Sequence, residues 1–363
     1  SFRSIINNRI SSDSIFNCKN VFCNVSTKDI AIFARQFHAM LISGVPLIQC
    51  LNILIQQTEN FKLRKAIENI YGAVQKGATL TDAMRQQRLV FPELLINMVE
   101  AAESSGNLDT IMEKMASHYE KEAKLKNKII SAMLYPIILV IVSTAVVIFM
   151  LTTIFPIFIN MFENSGVSLP TPTLILLKIS NCINHHWYIF ILILNTFIYI
   201  ANKYFKTENG KRKLDALKLK IPIIKNTIIK ISASRFTRTL SILLSSGIPF
   251  LTAIDIISNI VGNQVISDGL LTVKEDLRKG HDLAESLHRS SIFPPMVNAM
   301  VRIGEESGSL EEILKKTADY YDYEIESEIQ KMTTLLEPIM IIIMAIIVGF
   351  IIIAMYLPKS SPN

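Results

Sequence analysis

Four cysteines, one tryptophan and a charged fraction of only 19% mark this 363-residue sequence by what it lacks. Cys18, Cys23, Cys50 and Cys182 have neither the paired C-x-x-C spacing of a zinc site nor that of an even disulfide framework, and read as small apolar residues. The histidines His38, His118, His281 and His288 form no H-E-x-x-H cluster, and His185-His186 beside Trp187 suit a membrane surface better than a metal. No G-x-S-x-G elbow is present. Gly72-Ala-Val-Gln-Lys-Gly77-Ala-Thr79 lacks the lysine after its second glycine and follows no strand, so Gly77 reads as a helix C-terminal glycine rather than a phosphate loop. The carboxylate pairs Glu305-Glu306 and Glu311-Glu312 read as helix-start and solvated groups. No enzyme and no cofactor are expected.

What is abundant is apolar surface. Half of the residues are hydrophobic, and charge falls short of the usual fraction of about 25%. That balance excludes a disordered chain. It points instead to a mixture of aqueous and membrane-embedded parts. No secretory pattern is read at the N-terminus.

The apolar residues are concentrated. Ile129 to Phe162 carries no charge, with its apolar centre between Pro136 and Pro156, and Pro338 to Pro358 is again free of charge. About 20 apolar residues cross a hydrocarbon core about 30 Å thick. Both stretches are predicted to span. A third span is read from about Ile183 to Asn202, with Trp187, Tyr188 and Tyr199 as interfacial anchors and a buried soluble helix as its alternative. Lysines 121, 124, 126 and 128 precede the first span, and Lys203, Lys206, Lys211, Arg212 and Lys213 follow the second. This bias puts those flanks and the N-terminus in the cytoplasm, with the tail after Leu357 outside. The formal charge of +6 is thereby absorbed by topology, and no direct contact with nucleic acid is expected.

The two basic-flanked stretches are copies of one another. Phe33-Ala-Arg35 through Gly44-Val-Pro46-Leu47 matches Phe236-Thr-Arg238 through Gly247-Ile-Pro249-Phe250, at an offset of 203. Gly77 with Gly280 and Leu80 with Leu283 keep that offset. It then becomes 202: Phe91-Pro92 matches Phe293-Pro294, and Ala102-Glu103-Ser-Ser-Gly106-Asn-Leu108-Asp109 matches Gly304-Glu305-Glu-Ser-Gly308-Ser-Leu310-Glu311. Tyr119 pairs with Tyr321, and Tyr135-Pro136 with Glu337-Pro338. Apolar residues at helical spacing, punctuated by these glycines and prolines, predict about six helices per copy, the last running into a span. Ser309-Leu-Glu-Glu312 reads as a capping box and Thr79-Leu-Thr-Asp82 as a looser one.

The expected architecture is therefore all-α, two duplicated cytoplasmic six-helix-type bundles joined to three transmembrane helices. Its boundaries are 1–25 (undefined), 26–128 (copy one), 129–159 (span), 160–182 (outer loop), 183–202 (span), 203–336 (copy two), 337–357 (span) and 358–363 (tail). Candidate partner-contact or repeat-signature residues are Arg35, Gly44, Pro46, Glu103 and Gly106, with Arg238, Gly247, Pro249, Glu305 and Gly308 in copy two, and Glu337 and Pro338. Glu103 and Glu305 either bond a helix end or meet a partner. Glu337, at the mouth of a span, either reaches water or pairs with a base.

The duplicated unit, together with Leu41-Ile-Ser-Gly44-Val-Pro46-Leu47, Ala102 to Asp109 and Leu169-Pro170-Thr-Pro172, resembles the type II secretion F family, which includes the platform proteins of type IV pilus machines. The resemblance runs from about Ser26 to Leu357. It implies a platform in the cytoplasmic membrane, with a hexameric ATPase, pilin or pseudopilin subunits, other assembly proteins and further copies of itself as partners. A DNA-uptake platform of the same family, a small transporter and a membrane receptor are the other readings. Against a transporter, no span carries a central ionisable residue.

Overall fold

The computed structural model describes residues 24–163, 171–205 and 207–356; these are helices and their connections, with no strand among them. Copy one contributes α1 (Thr27–Ile42), α2 (Leu47–Gln57), α3 (Phe61–Gln75), α4 (Leu80–Arg85), α5 (Glu93–Ser105) and α6 (Leu108–Phe149). A π-helical turn, Met150–Ile154, leads to α7 (Phe155–Glu163), followed by α8 (Thr171–Phe205) and α9 (Glu208–Lys218). Copy two contributes α10 (Pro222–Leu244), α11 (Phe250–Ile260), α12 (Gln264–Arg278), α13 (Leu283–Ser290), α14 (Pro295–Ser307) and α15 (Leu310–Tyr356). Residues 1–23, with Cys18 and Cys23, lie outside the described residues, as do Leu169 and Pro170.

The same local chemistry sets the helix ends in both copies. Asn60 accepts from the amides of Lys62 and Leu63 to start α3, and Asn263 accepts from Val265 and Ile266 to start α12. Pro46 and Pro249 precede α2 and α11 with φ of −58° and −56°, the value the proline ring imposes. Gly44 and Gly247 close the preceding helices at φ 74° and 75°, a left-handed conformation in which a side chain would be strained. Two caps differ from the sequence pattern. The full capping box forms at Ser26 and Asp29. At Ser309 the amide instead bonds the Gly304 carbonyl, while Glu312 turns to Lys316 at 2.7 Å. Gly308 (φ 65°) closes α14 there, and the Ser309 hydroxyl pairs with that of Ser307 at 2.6 Å instead of capping α15.

The described chain divides into two compact units. The first holds residues 24–127 and 228–324, hence most of both copies. Its buried apolar side chains form one connected cluster drawn from α1–α6 and α10–α15. Phe33 packs on Phe91 with ring centroids 5.3 Å apart, and their counterparts Phe236 and Phe293 are 4.8 Å apart. Cys50 is fully buried in this core, as a small apolar residue should be, whereas Cys182 in α8 is exposed.

The second unit holds residues 128–227 and 325–356. The helices running through Leu108–Ile159 and Leu310–Ala354 are long and apolar enough to cross a membrane. Ile137, Ile138, Val142, Ile341, Ile342 and Ile346 are each half or more exposed on them. Water would penalise such a surface, whereas hydrocarbon accepts it. Pro136 and Pro338 sit inside α6 and α15. The stretch 171–182, expected as outer loop, is the start of the 35-residue α8. Its Thr173 hydroxyl donates to the Ala354 carbonyl, and its Ser180 hydroxyl to the Leu151 carbonyl, each at 2.6 Å. Leu151 lies in the π turn, where the wider winding disturbs the regular backbone ladder and Thr152 back-bonds to Ile148 at 2.8 Å. Leu176 packs with Phe155, Ile159, Ile351 and Ala354. Hydropathy missed this segment because Lys178 and Asn181 interrupt it.

Candidate interaction site between the two copies

The candidate arginines make the same bridge twice. Arg35 grips Glu120 through two bonds of 2.7 Å, one from Nε and one from a terminal nitrogen. Arg238 bonds Asp322 at 2.5 Å and Asp319 at 3.2 Å. Glu120 and Asp322 directly follow Tyr119 and Tyr321, which the repeat already pairs. The acids were therefore findable, although only the arginines were singled out. The bridges differ in burial: Arg35 and Glu120 are 43% and 45% exposed, Arg238 and Asp322 11% and 26%. Arg35 holds the Glu120 carboxyl below the ordinary carboxylate range. Burial works against ionisation of Asp319, but Lys121 and Arg238 outweigh it and hold that carboxyl low as well.

Glu103 and Glu305 are helix caps. Glu103, on α5, accepts from the amides of Leu80 and Thr81 at 2.7 and 2.9 Å, and from the Thr81 hydroxyl. Glu305, on α14, accepts from Leu283 and Ala284 at 2.9 and 3.0 Å. Each carboxylate thus ties the N-terminus of a short helix to the end of the next long one, where the exposed N–H groups favour a negative charge. The left-handed Gly106 and Gly308 close those same long helices. Gly44, Pro46, Gly247 and Pro249 shape the elbows described above, and Glu337 accepts from the Tyr135 hydroxyl at 3.3 Å rather than from a base. The candidates therefore occupy repeated joints and do not converge on one pocket.

Besides the Tyr135–Glu337 bond, the copies meet through polar contacts of residues outside the candidate set. Lys114 of α6 donates to the Ser245 carbonyl at 2.9 Å and to the Ser245 hydroxyl at 3.0 Å. Lys121 reaches Asp319 at 2.6 Å, and Arg235 of α10 reaches Glu122 at 2.9 Å. A groove of about 280 Å³ follows this seam, lined by Lys114, His118, Lys121, Arg238, Ser245 and Lys315 among others. Burial lowers the Lys114 pKa. His118 is 6% exposed with its ring edge-on to Tyr119, and its Nδ1 has no partner. Burial pushes its pKa down to about 4, with Arg238 and Arg235 adding to that and Glu122 opposing it. Its imidazole is neutral at pH 7. Among the described residues no cluster of histidine, cysteine and acids could hold a metal ion.

The sequence profile of "Type II secretion system (T2SS), protein F" matches residues 33–156 and again 236–358. The two matches are displaced by 203 residues at their starts and 202 at their ends, the same offsets as the internal repeat. The chain belongs to the type II secretion F family. It is 34% identical over 343 residues to the type IV pilus assembly protein PilC of Myxococcus xanthus, covering 94% of this chain and 82% of that protein. It is 38% identical over 332 residues to PilC of Thermus thermophilus, with 91% and 82% covered. To the type II secretion system protein F of Vibrio cholerae it is 33% identical over 340 residues, with 93% and 84% covered. In this family member the Arg–acid bridge and the Glu cap therefore each occur once per matched block.

Proposed function

We propose that the chain is a non-catalytic membrane platform of a pilus-type filament or secretion machine, passing the motion of a cytoplasmic assembly ATPase to pilin or pseudopilin subunits leaving the bilayer. The observation that carries this reading is the double family match, which spans both copies and both long apolar helices. Relatives with this arrangement are named for type IV pilus assembly and type II secretion. Helices α6 and α15 each carry buried core side chains in their first part and an exposed apolar stretch in their last, with Pro136 and Pro338 inside them.

In this reading residues 26–128 and 203–336 are cytoplasmic, and the lysines before α6's apolar half and after α8 hold them there. Helix α8 supplies a third crossing, the N-terminus lies inside and the tail outside. The chain acts as a homo-oligomer in the inner membrane. Isolation of the tagged full-length chain from native membranes tests the partnership. The hexameric ATPase and the pilin-type subunit co-purify in this account; recovery of the intact chain with neither speaks against it.

A further inference from the structure

The seam between the copies is one-sided. Copy one brings to it the face of α6 with Lys114, His118 and Lys121, and copy two the face of α10 with Arg235, Arg238 and Ser245. Lys114 donates to the Ser245 carbonyl at 2.9 Å and the Ser246 hydroxyl at 3.3 Å, so its ammonium closes the last turn of α10, where carbonyls lack helical partners. The repeat offsets place Lys316, Tyr320 and Tyr323 at the matching positions of α15, and Ile32, Arg35 and Ile42 at those of α1. A twofold contact would make the same bond twice and bring Lys316 to the last turn of α1. Among the described residues Lys316 instead bonds only Glu312, on its own helix. One pair of matching faces is therefore used within the chain, and the other is not.

The unused pair keeps the chemistry of the used one. Lys316 and Ser43 are the same residue types as Lys114 and Ser246. The Ser43 hydroxyl donates to the Ala39 carbonyl at 2.7 Å, as Ser246 donates to Ile242 at 2.8 Å, and each oxygen can still accept from an ammonium. The Ile42 carbonyl stands where α10 has that of Ser245, and a backbone group does not depend on the side chain. Lys316 spends one donor on Glu312 and has others left. Around this lysine the polar groups of the seam give way to larger apolar ones. Tyr320 and Tyr323 replace His118 and Lys121, and Ile32 and Ile42 replace Arg235 and Ser245. His118 is 6% exposed, whereas Tyr320 is 43% and Tyr323 70%, and Ile32 and Ile42 are 46% and 67%. Aromatic groups with few charges are what the centre of a covered interface carries.

Resting on the proposed homo-oligomer, we infer that the α1 face of one chain docks on the α15 face of a second chain, repeating between chains the contact that α10 and α6 make within one. Lys316 then closes the last turn of the neighbouring α1 through the Ile42 carbonyl and the Ser43 hydroxyl, while Tyr320 and Tyr323 cover Ile32 and Ile42. The occupant is a second copy because its α1 and this α15 are the counterparts of two faces that already fit each other inside the chain. The assembly is head-to-tail, with copy one and copy two alternating along it, and it closes as a ring or runs on according to the rotation at each step.

Cysteine cross-linking of the full-length chain in native membranes tests this, after its own four cysteines are replaced by serine. A chain carrying both Ile42→Cys and Tyr320→Cys, treated with a short bismaleimide, gives a ladder of multiples of the chain mass. Either cysteine alone stays monomeric, and so does Leu89→Cys with Tyr320→Cys, in which the first cysteine lies on an exposed loop away from α1. Adding Lys316→Glu to the ladder-forming chain lowers the cross-linked yield roughly fivefold or more. Monomer from the double variant, a dimer from either single variant, an adduct with a different protein, or a yield that Lys316→Glu leaves unchanged overturns the inference. The mass of the unmodified chain extracted in mild detergent separates the two readings. A monomer there removes the homo-oligomer and this docking with it, whereas an oligomer that gives no ladder removes the docking alone.

Discussion

Tyr135 and Glu337 occupy equivalent positions in the two copies, 202 residues apart, and they touch: the Tyr135 hydroxyl donates to Glu337 Oε1 at 3.3 Å. Where α6 and α15 pass Pro136 and Pro338, equivalent points of the two copies therefore lie side by side. A carboxylate at the mouth of an apolar stretch gains a hydrogen bond there without requiring a cation.

Cross-linking reads this contact directly. With the native cysteines removed and Tyr135→Cys and Glu337→Cys introduced, a short bismaleimide should join the two helices within one chain, so that cleavage between the copies leaves the halves on one band. Either cysteine alone should give separate halves. Separate halves from the double variant would place the two residues apart.

The repeated arginine bridges should differ in worth. Arg35→Ala removes an exposed pair and should cost less than about 1 kcal/mol. Arg238→Ala leaves Asp322 without a close charged donor in a more buried setting, while Asp319 keeps Lys121, and should cost about 2 kcal/mol or more. Thermal unfolding of the detergent-solubilised chain compares them. Equal losses would contradict the role given to burial.

The glutamate caps predict a local readout. Glu103→Ala should speed hydrogen exchange at Leu80 and Thr81, and Glu305→Ala at Leu283 and Ala284, each with a loss of about 1–2 kcal/mol in local stability. The corresponding sites in the unmutated copy should keep their protection. Unchanged exchange at the four amides would show that the caps are not what holds α4 and α13.

His118 makes the copy seam sensitive to acid. Its folded pKa of about 4 lies below its ordinary value of 6.5, so the unfolded chain binds the extra proton between those values. Stability is full above about pH 6.5 and falls as pH drops towards 4, by up to about 3 kcal/mol from this group. Glu122, Arg235 and Arg238 face the ring, and acids elsewhere add their own slope. The difference between the native chain and His118→Phe isolates the histidine: the variant should lose less stability from pH 7 to pH 5. Parallel pH profiles would contradict it.

Much of the fold was legible because its signals are local. A left-handed turn demands Gly44 and Gly247, a proline opens α2 and α11, and a charge-free run marks α6 and α15. The duplication then doubled each signal. Contacts between distant residues were not legible in that way. Arg35 and Glu120 are 85 positions apart, and Lys114 finds Ser245 across 131. Glu103 stood out by recurrence, but only the packing of α4 on α5 shows that its carboxylate is engaged with backbone amides. The first third of α8 was read as loop because Lys178 and Asn181 depress its hydropathy, whereas its place is set by the hydroxyls of Thr173 and Ser180.

Deletion of the gene for this chain in its own cell, with the assembly ATPase and the pilin-type subunit still present at normal levels, tests the platform role most directly. The account predicts that surface filaments, or export of the machine's substrate, are lost and return when the intact chain is supplied. Normal filaments and normal export in the deleted strain would contradict it.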